Sequence, residues 1–92
     1  MPVFFKVFST ASFKKKLKKL YKKDKNVIDF YEHALKILEN NPFADKNIKK
    51  LIDVKQNDGQ WRIRLGDYRF RYDVFGKKVV LHSVKNRKDA YK

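Results

Sequence analysis

The fold is decided by the stretch Gln60-Trp-Arg-Ile-Arg-Leu-Gly-Asp-Tyr-Arg-Phe-Arg-Tyr-Asp-Val-Phe75. Apolar and polar side chains alternate on both sides of Gly66-Asp67, and a period of two is typical of β-strands. Two such runs separated by a dipeptide that begins with glycine predict a hairpin with a type II′ turn, in which the glycine takes a positive φ angle.

The two-residue turn fixes which residues of the hairpin lie opposite each other. Apolar side chains then share one face of the sheet. On the other face the arginines meet in two pairs, Arg64 with Arg69 and Arg62 with Arg71. Like charges in these positions destabilise a sheet, so we expect an anion there, and guanidinium groups suit phosphate. The alternative interpretation is an ordinary solvated face.

The composition indicates the class of protein and of partner. The chain has 92 residues with 42% hydrophobic residues, and 24 Lys and Arg against 10 Asp and Glu give a formal net charge of +14. This apolar share predicts one folded domain over residues 1–92 rather than a disordered basic tail. The charge indicates a polyanionic partner: nucleic acid first, an acidic protein second and a membrane surface third.

Several classes of site are disfavoured by the same sequence. It has no cysteine and only two histidines, His33 and His82, so we expect no metal site and no cofactor. No apolar run reaches membrane-spanning length, and residues 1–8 have neither the apolar core nor the cleavage site of a signal peptide. We therefore expect a cytoplasmic protein that does not enter a membrane.

Residues 3–42 predict a strand and two helices. Residues 3–8 have strand composition, and Ser9 or Thr10 supplies the N-cap of a helix. Asn26 would cap a second helix, which Pro42 ends. Two amphipathic helices in succession form an antiparallel hairpin. Their apolar stripes are Phe13, Leu17, Leu20 and Tyr21 in the first helix, and Val27, Tyr31, Ala34, Leu35 and Leu38 in the second.

The other face of the first helix is nearly all lysine, at positions 14, 15, 16, 18, 19, 22 and 23. Such a run is most often a solvated face. It can also attract phosphates without regard to sequence, and we take Lys15 and Lys19 as candidate RNA contacts.

The remaining segments complete an α+β fold, with an N-terminal strand, the helix hairpin and a mainly antiparallel three-stranded meander packed on the helices. In residues 43–59 a helical turn and a short extended piece are expected, held to the core by Ile48, Leu51, Ile52 and Val54. Residues 78–84 predict the last strand. If Val74 lies opposite Val79, Arg71 lies opposite His82, which would put this histidine beside the arginines.

The segment Trp61-Arg-Ile-Arg-Leu-Gly-Asp-Tyr-Arg-Phe-Arg-Tyr72 resembles the RelE/ParE superfamily of toxins from prokaryotic toxin-antitoxin pairs. The lysine-rich residues 13–20 and the closing residues 86–91 extend the resemblance over nearly the whole chain. It implies a RelE-like microbial RNase fold. For the RelE branch it also implies cleavage of messenger RNA in the ribosomal A site and inhibition by an acidic antitoxin.

The resemblance also implies the site residues, one position at a time: Arg62 and Arg64 before the turn, Arg69 of the Gly-x-Tyr-Arg motif, Lys85 and Arg87 after the last strand, and Tyr91. Asn86 stands where many relatives have histidine, so His82 and Tyr91 remain alternative bases. Residues 52–59 are also longer and more polar than the usual turn of the family.

Metal-free RNA cleavage uses the ribose 2′-hydroxyl as nucleophile and needs a base, a cation at the transition state and a proton donor for the leaving oxygen. We expect Arg69 to supply the transition-state charge, and Arg87 or Lys85 the proton. Tyr91 would stack on a base or exchange a proton. The alternative for His82 is a strand histidine that only bonds a neighbour. The expected phosphate contacts are Arg62, Arg64, Arg71 and Lys85.

Two other functions stay open at this point. One is a ParE-type toxin that poisons DNA gyrase by protein contact, because one fold hosts several functions. The other is a basic RNA-binding module without catalysis. The paired arginines and Tyr91 favour the ribonuclease. Its expected partners are the ribosome, messenger RNA and an acidic antitoxin that lies over the arginines.

Overall fold

The computed structural model describes residues 4–88, which form two helices and one five-stranded sheet. The elements are β1 (Lys6–Ser9), α1 (Ala11–Lys23), α2 (Val27–Asn40), β2 (Ile48–Lys50), β3 (Trp61–Leu65), β4 (Tyr68–Phe75) and β5 (Lys78–Asn86). The strand order is β1-β5-β4-β3-β2, with β1 parallel to β5 and the other pairs antiparallel. The expected α+β fold is therefore confirmed, with one strand more than the sequence predicted.

The hairpin of β3 and β4 has the expected register. Arg62 lies opposite Arg71, and Arg64 opposite Arg69. Gly66 has a φ angle of +58, the left-handed conformation that its turn position requires. A Cβ atom at Gly66 would lie 2.5 Å from the ring of Phe30 on α2, so the turn also packs closely against a helix.

Local hydrogen bonds explain where the two helices begin. Thr10 is the N-cap of α1, and its Oγ1 accepts a hydrogen bond from the Phe13 amide at 3.0 Å. Asn26 occupies the N-cap position of α2 as predicted, but its side chain makes no capping bond. Instead Asp24 accepts a hydrogen bond from the Asn26 amide at 3.0 Å. Neither α1 nor α2 is long and apolar enough to cross a membrane.

The core lies between the two helices and one face of the sheet. It contains Phe13, Val27, Ala34, Leu38, Ile63, Phe70, Tyr72, Val79 and Leu81. Two tyrosines at its margin keep their hydroxyl groups bonded: Tyr68 donates to Asp24 at 2.8 Å and Tyr72 to the Pro42 carbonyl at 2.6 Å. Burial and the bond to Asp24 raise the pKa of Tyr68 to about 12, and burial also raises the pKa of Tyr72.

Residues 43–59 differ from the prediction. The expected helical turn is wrong, because Ile48 lies in the short edge strand β2, opposite Ile63 of β3. Ile52 does not reach the core, since its side chain is 84% exposed. The chain then forms a loop, residues 51–60, whose ends are joined by a hydrogen bond of 2.8 Å from the Leu51 amide to the Gln60 carbonyl.

A β-bulge in β5 changes the expected position of His82. Tyr72 lies opposite Leu81 as predicted, but Arg71 lies opposite Ser83. His82 is therefore the extra residue of β5, and the expected pairing of Arg71 with His82 is wrong. The bulge places both His82 and Ser83 between the buried core residues Leu81 and Val84.

Candidate anion-binding site

The face of the sheet turned away from the helices carries two rows of cations, which we call the arginine face. One row runs across four strands through Lys49, Arg62, Arg71 and Ser83, and the other across three strands through Arg64, Arg69 and Lys85. Alternation along each strand sends these side chains to one side and the core residues to the other. Six of the seven residues are positively charged, so the fold brings like charges together in neighbouring positions.

A cavity of about 260 Å³ opens in the arginine face. Its walls are formed by Leu51, Arg62, Arg69, Arg71, Ser83 and Lys85. Four of these six residues were expected from the sequence to contact RNA or to catalyse its cleavage. The cavity has several times the volume of about 30 Å³ that one water molecule occupies in the liquid, so it can admit a polyatomic anion.

Two guanidinium groups in the cavity have unused hydrogen-bond donors. The Nε atoms of Arg62 and Arg69 are buried and have no hydrogen-bond partner among the described residues. Burial and the charges of Arg69 and Arg64 lower the pKa of Arg62. An unpartnered buried donor costs roughly 1 to 3 kcal/mol, and more when it is charged. An anion that accepts from both arginines would remove this cost, and phosphate oxygens match the guanidinium geometry.

Arg71 has a different role from Arg62 and Arg69. It holds the 51–60 loop against the sheet: its Nη2 donates to the Asp58 carbonyl at 2.8 Å and to the Gly59 carbonyl at 3.0 Å, and its Nε to Gly59 at 3.1 Å. Gly59 permits this contact, because a Cβ atom there would lie 3.0 Å from the Cβ of Arg71. Arg71 thus positions the loop that supplies Leu51 to the cavity wall.

Asp73 also holds the 51–60 loop against the sheet. Its side chain is fully buried and accepts hydrogen bonds from the Gly59 amide at 3.0 Å and the Gln60 amide at 2.9 Å. Nε2 of His82 lies 2.8 Å from Oδ2 of Asp73. We call Arg71, Asp73 and His82 the clasp. The two atoms are within ion-pair distance but lack the alignment of a hydrogen bond, so Nε2 of His82 is, like the Nε atoms of Arg62 and Arg69, a buried nitrogen without a hydrogen-bond partner among the described residues.

Of the other expected site residues, none that the structure describes lines this cavity. Arg64 is exposed, and its backbone amide donates to Asn47. Arg87 is also exposed, and its backbone amide donates to the Asp67 carbonyl. Lys15 is an exposed residue of α1, whereas Lys19 lines a second cavity together with Lys85. Tyr91 lies outside the described residues, so its catalytic role stays a prediction.

Sequence reasoning missed three residues of the arginine face and its cavity. Lys49 was missed because β2 was not expected, and Leu51 was assigned to the core instead of the cavity. Ser83 was missed because strict alternation along β5 puts it on the core side. The spacing of the apolar residues Val79, Leu81 and Val84 contained the signal, because a step of three after a step of two indicates a bulge.

Comparisons with known proteins agree with this architecture. A family model described as "ParE toxin of type II toxin-antitoxin system, parDE" matches residues 7–91. None of the curated protein sequences matches the chain. Among solved structures, the toxin-antitoxin complex RelBE2 from Mycobacterium tuberculosis is similar, with 25% sequence identity and a TM-score of 0.72 over 92% of this chain and 100% of that chain.

Two further solved structures are similar to the chain. The archaeal RelE-RelB complex from Pyrococcus horikoshii has 26% identity and a TM-score of 0.67, over 91% of this chain and 96% of that chain. The DinJ-YafQ complex from E. coli has 14% identity and a TM-score of 0.73, over 96% of this chain and 99% of that chain, which shows a shared fold. Because the family model covers nearly all of its sequence, the chain belongs to the ParE toxins of type II toxin-antitoxin systems, within the RelE/ParE superfamily.

Proposed function

We propose that this toxin is an endoribonuclease that cuts messenger RNA on the ribosome by attack of the ribose 2′-hydroxyl, without a metal ion. The observation that carries the proposal is the cavity in which Arg62 and Arg69 each hold a buried Nε without a partner. A phosphodiester in the cavity would accept from both guanidinium groups. The expected activity of the RelE branch supports the same assignment.

The reaction needs one proton removed and one supplied. The 2′-oxygen attacks the adjacent phosphorus while the bond from phosphorus to the 5′-oxygen breaks, which leaves a 2′,3′-cyclic phosphate and a 5′-hydroxyl end. Negative charge grows on the non-bridging oxygens in the transition state. Arg69, with Arg62 beside it, would stabilise this charge, and one well-placed donor contributes roughly 3 to 4 kcal/mol in comparable oxyanion sites.

Of the candidates for the proton transfers, one lines the cavity. Lys85 lines it and would protonate the leaving 5′-oxygen, with Arg87 as the other candidate. For the base, His82 and Tyr91 remain the two candidates. Nε2 of His82 lies against the Asp73 carboxylate, so Nδ1 is the nitrogen that would accept the proton.

The same cavity would be the target of inhibition. The similar structures from Mycobacterium tuberculosis and Pyrococcus horikoshii are complexes of a toxin with its antitoxin. An acidic antitoxin laid over the arginine face would neutralise its cations and exclude RNA at once. The proposed target and antitoxin both place the toxin in the cytoplasm.

A second candidate function is a gyrase poison that acts by protein contact. The observation that favours it is the description of the matching family model, which is that of the ParE toxins. Such a toxin needs no phosphate at Arg62 and Arg69, so the two candidates differ in how they respond to loss of the cavity arginines.

Toeprinting of a translated messenger RNA in a cell-free system tests the proposal, with gyrase supercoiling assayed in parallel. Three proteins are compared: wild type, Arg69→Ala and Lys77→Ala. Lys77 is an exposed residue of the turn between β4 and β5, at the far end of the strands from Arg69, so its variant removes one charge outside the cavity. Thermal melts of all three proteins establish that they are folded.

We expect new A-site cuts with wild type and Lys77→Ala, and a loss of cleavage of at least a hundredfold with Arg69→Ala, as for removal of one oxyanion donor. Equal cleavage by the three proteins would exclude Arg69 from catalysis. Absence of cuts together with inhibition of gyrase would replace the ribonuclease by the second candidate function.

A further inference from the structure

A second cationic cavity, of about 310 Å³, lies between α1 and β5. We call it the lysine groove. It is lined by Lys16, Lys19, Leu20, Lys23, Val84 and Lys85. Four ammonium groups thus surround two aliphatic side chains, and the proposed cleavage reaction uses only one of the six residues, Lys85.

Three of the groove lysines lie on one face of α1. Lys16, Lys19 and Lys23 are three and four residues apart, which aligns them along the helix. Like charges at these spacings destabilise a helix by a few tenths of a kcal/mol per pair. α1 contains no acidic residue, and within residues 4–88 no carboxylate forms a salt bridge with these lysines. The groove therefore has positive charge that the described part of the protein does not balance.

The groove follows an edge of β5 that has no strand neighbour among residues 4–88. β1 pairs with β5 only as far as Leu81, where Ser9 lies opposite. The Thr10 amide then donates to the Leu81 carbonyl at 3.1 Å, and the chain turns into α1. Beyond this point β5 has β4 on one side and the lysines of α1 on the other, which leaves an open channel along Val84 and Lys85.

Lys85 lines both cavities, so the lysine groove continues directly from the arginine face. We propose that the groove binds a second phosphate of the RNA strand whose scissile phosphate lies at Arg62 and Arg69. This inference rests on the proposed function and adds the path of the substrate: single-stranded RNA leaves the arginine face over Lys85 and runs along α1.

The chemistry of the groove favours RNA over an acidic polypeptide. Its polar atoms are lysine ammonium groups on flexible stems, which contact phosphates as point charges without reading sequence. Through Lys85 the groove also adjoins the cavity of the buried guanidinium groups, which match phosphate in geometry. A polypeptide bound in the groove alone would leave Arg62 and Arg69 without partners.

Fluorescence anisotropy with uridine oligonucleotides tests the inference. All riboses carry a 2′-O-methyl group, so the probes cannot be cut, and they contain either two or ten nucleotides. The groove variant is Lys16→Gln/Lys19→Gln/Lys23→Gln. The matched control is Lys14→Gln/Lys18→Gln/Lys22→Gln, which removes three exposed charges from the same helix outside the groove. Glutamine preserves helix propensity.

We expect the groove variant to bind the ten-nucleotide probe about tenfold more weakly than the control variant. Its salt slope should be smaller by about 0.7 for each phosphate that the groove no longer neutralises. Binding of the two-nucleotide probe should be equal in the two variants. Equal affinity of both variants for the longer probe would overturn the inference, because the lysines would then act only through net charge.

Binding of a labelled peptide of ten glutamates to the same two variants tests whether the groove binds a protein instead. Loss of peptide binding in the groove variant, with unchanged RNA binding, would assign the groove to a protein partner and overturn the inference. These measurements need no cleavage. Failure of the ribonuclease proposal appears as toeprints without cuts, and failure of the groove proposal appears as equal binding by the two triple variants.

Discussion

At the scale of single residues, the cavity depends on a carboxylate that does not line it. Asp73 is fully buried beneath the 51–60 loop and accepts from two backbone amides of that loop. The loop brings Leu51 to the cavity and leads directly into β3, which carries Arg62. Asp73 therefore positions two of the cavity walls through the backbone.

Asp73→Ala should lower the free energy of unfolding by about 3 kcal/mol, because it leaves two buried amides without their acceptor and removes the carboxylate beside His82. Urea unfolding measures the change. Asp73→Asn keeps one carbonyl oxygen and should lose less. Glu32→Ala, at an exposed position of α2, is the control and should be neutral. If Asp73→Ala were also neutral, the clasp would not stabilise the loop.

Tyr68 makes the free energy of unfolding depend on pH in the alkaline range. An unfolded tyrosine ionises near pH 10, whereas burial and the bond to Asp24 raise the pKa of Tyr68 to about 12. The stabilisation from the neutral hydroxyl is complete below pH 10 and is lost as pH rises to 12. Between these values wild type should lose stability faster than Tyr68→Phe, by at most about 1.4 kcal/mol per pH unit. Parallel urea curves for the two proteins across this range would contradict the assignment.

Some features of single residues could be predicted from the sequence and others could not. The cations of the cavity were identified because the turn at Gly66 fixes the register of the hairpin. The environment of His82 could not be predicted from the sequence, because one extra residue in β5 moves every later side chain by one position. The carboxylate that meets His82 was also hidden, since a buried Asp in an alternating strand has the pattern of a surface residue.

At the scale of elements, the turn between β3 and β4 is held in two ways. Gly66 needs a positive φ angle, and it also lies against the Phe30 ring of α2. Gly76, in the turn between β4 and β5, has nearly the same φ angle of +60 but no atom within 4 Å of its would-be Cβ. A substitution at Gly76 therefore tests backbone strain alone, whereas a substitution at Gly66 tests backbone strain together with packing against Phe30.

Gly76→Ala should cost about 1 to 2 kcal/mol, the strain of an alanine in the left-handed conformation. Gly66→Ala should cost more, because its methyl group must also displace the Phe30 ring from its place beside Tyr68. Denaturant midpoints of the two variants give the comparison. Equal losses would mean that the ring moves aside freely and that the turn does not hold α2.

Elements with long, regular patterns were predictable, whereas the shortest strand, β2, and the partner of β1 were not. The helices α1 and α2 and the strands β3 and β4 follow from apolar periodicity over many residues. β2 has three residues and one apolar side chain, Ile48, so its pairing with β3 determines its conformation more than its own sequence does. The parallel pairing of β1 with β5 joins residues more than seventy positions apart, and no local pattern predicts it.

At the scale of the whole molecule, the formal charge of +14 is a source of repulsion that an anion can relieve. Inorganic pyrophosphate should therefore raise the melting temperature of wild type more than sodium chloride of equal ionic strength does. At a hundred times its dissociation constant a ligand adds about 2.7 kcal/mol, which is roughly 10 to 20 °C for a chain of this size.

Arg62→Gln/Arg69→Gln provides the control for this measurement. Screening by salt and general effects of the anion on the protein surface persist in the double variant, whereas binding in the cavity is lost. The pyrophosphate-specific rise should disappear. An equal rise in wild type and double variant would show that the anion acts on the charge of the whole surface and not at the cavity.

The position of β5 in the sheet has a consequence for the synthesis of the protein. Translation delivers β1 to β4 first, yet β5 lies between β1 and β4 and supplies Ser83 and Lys85 to the cavity. A nascent chain can form its helices and the β3–β4 hairpin early, because these contacts are local. It cannot close the sheet until β5 has left the exit tunnel. The ribosome that makes this chain therefore meets the assembled cavity only after β5 has emerged.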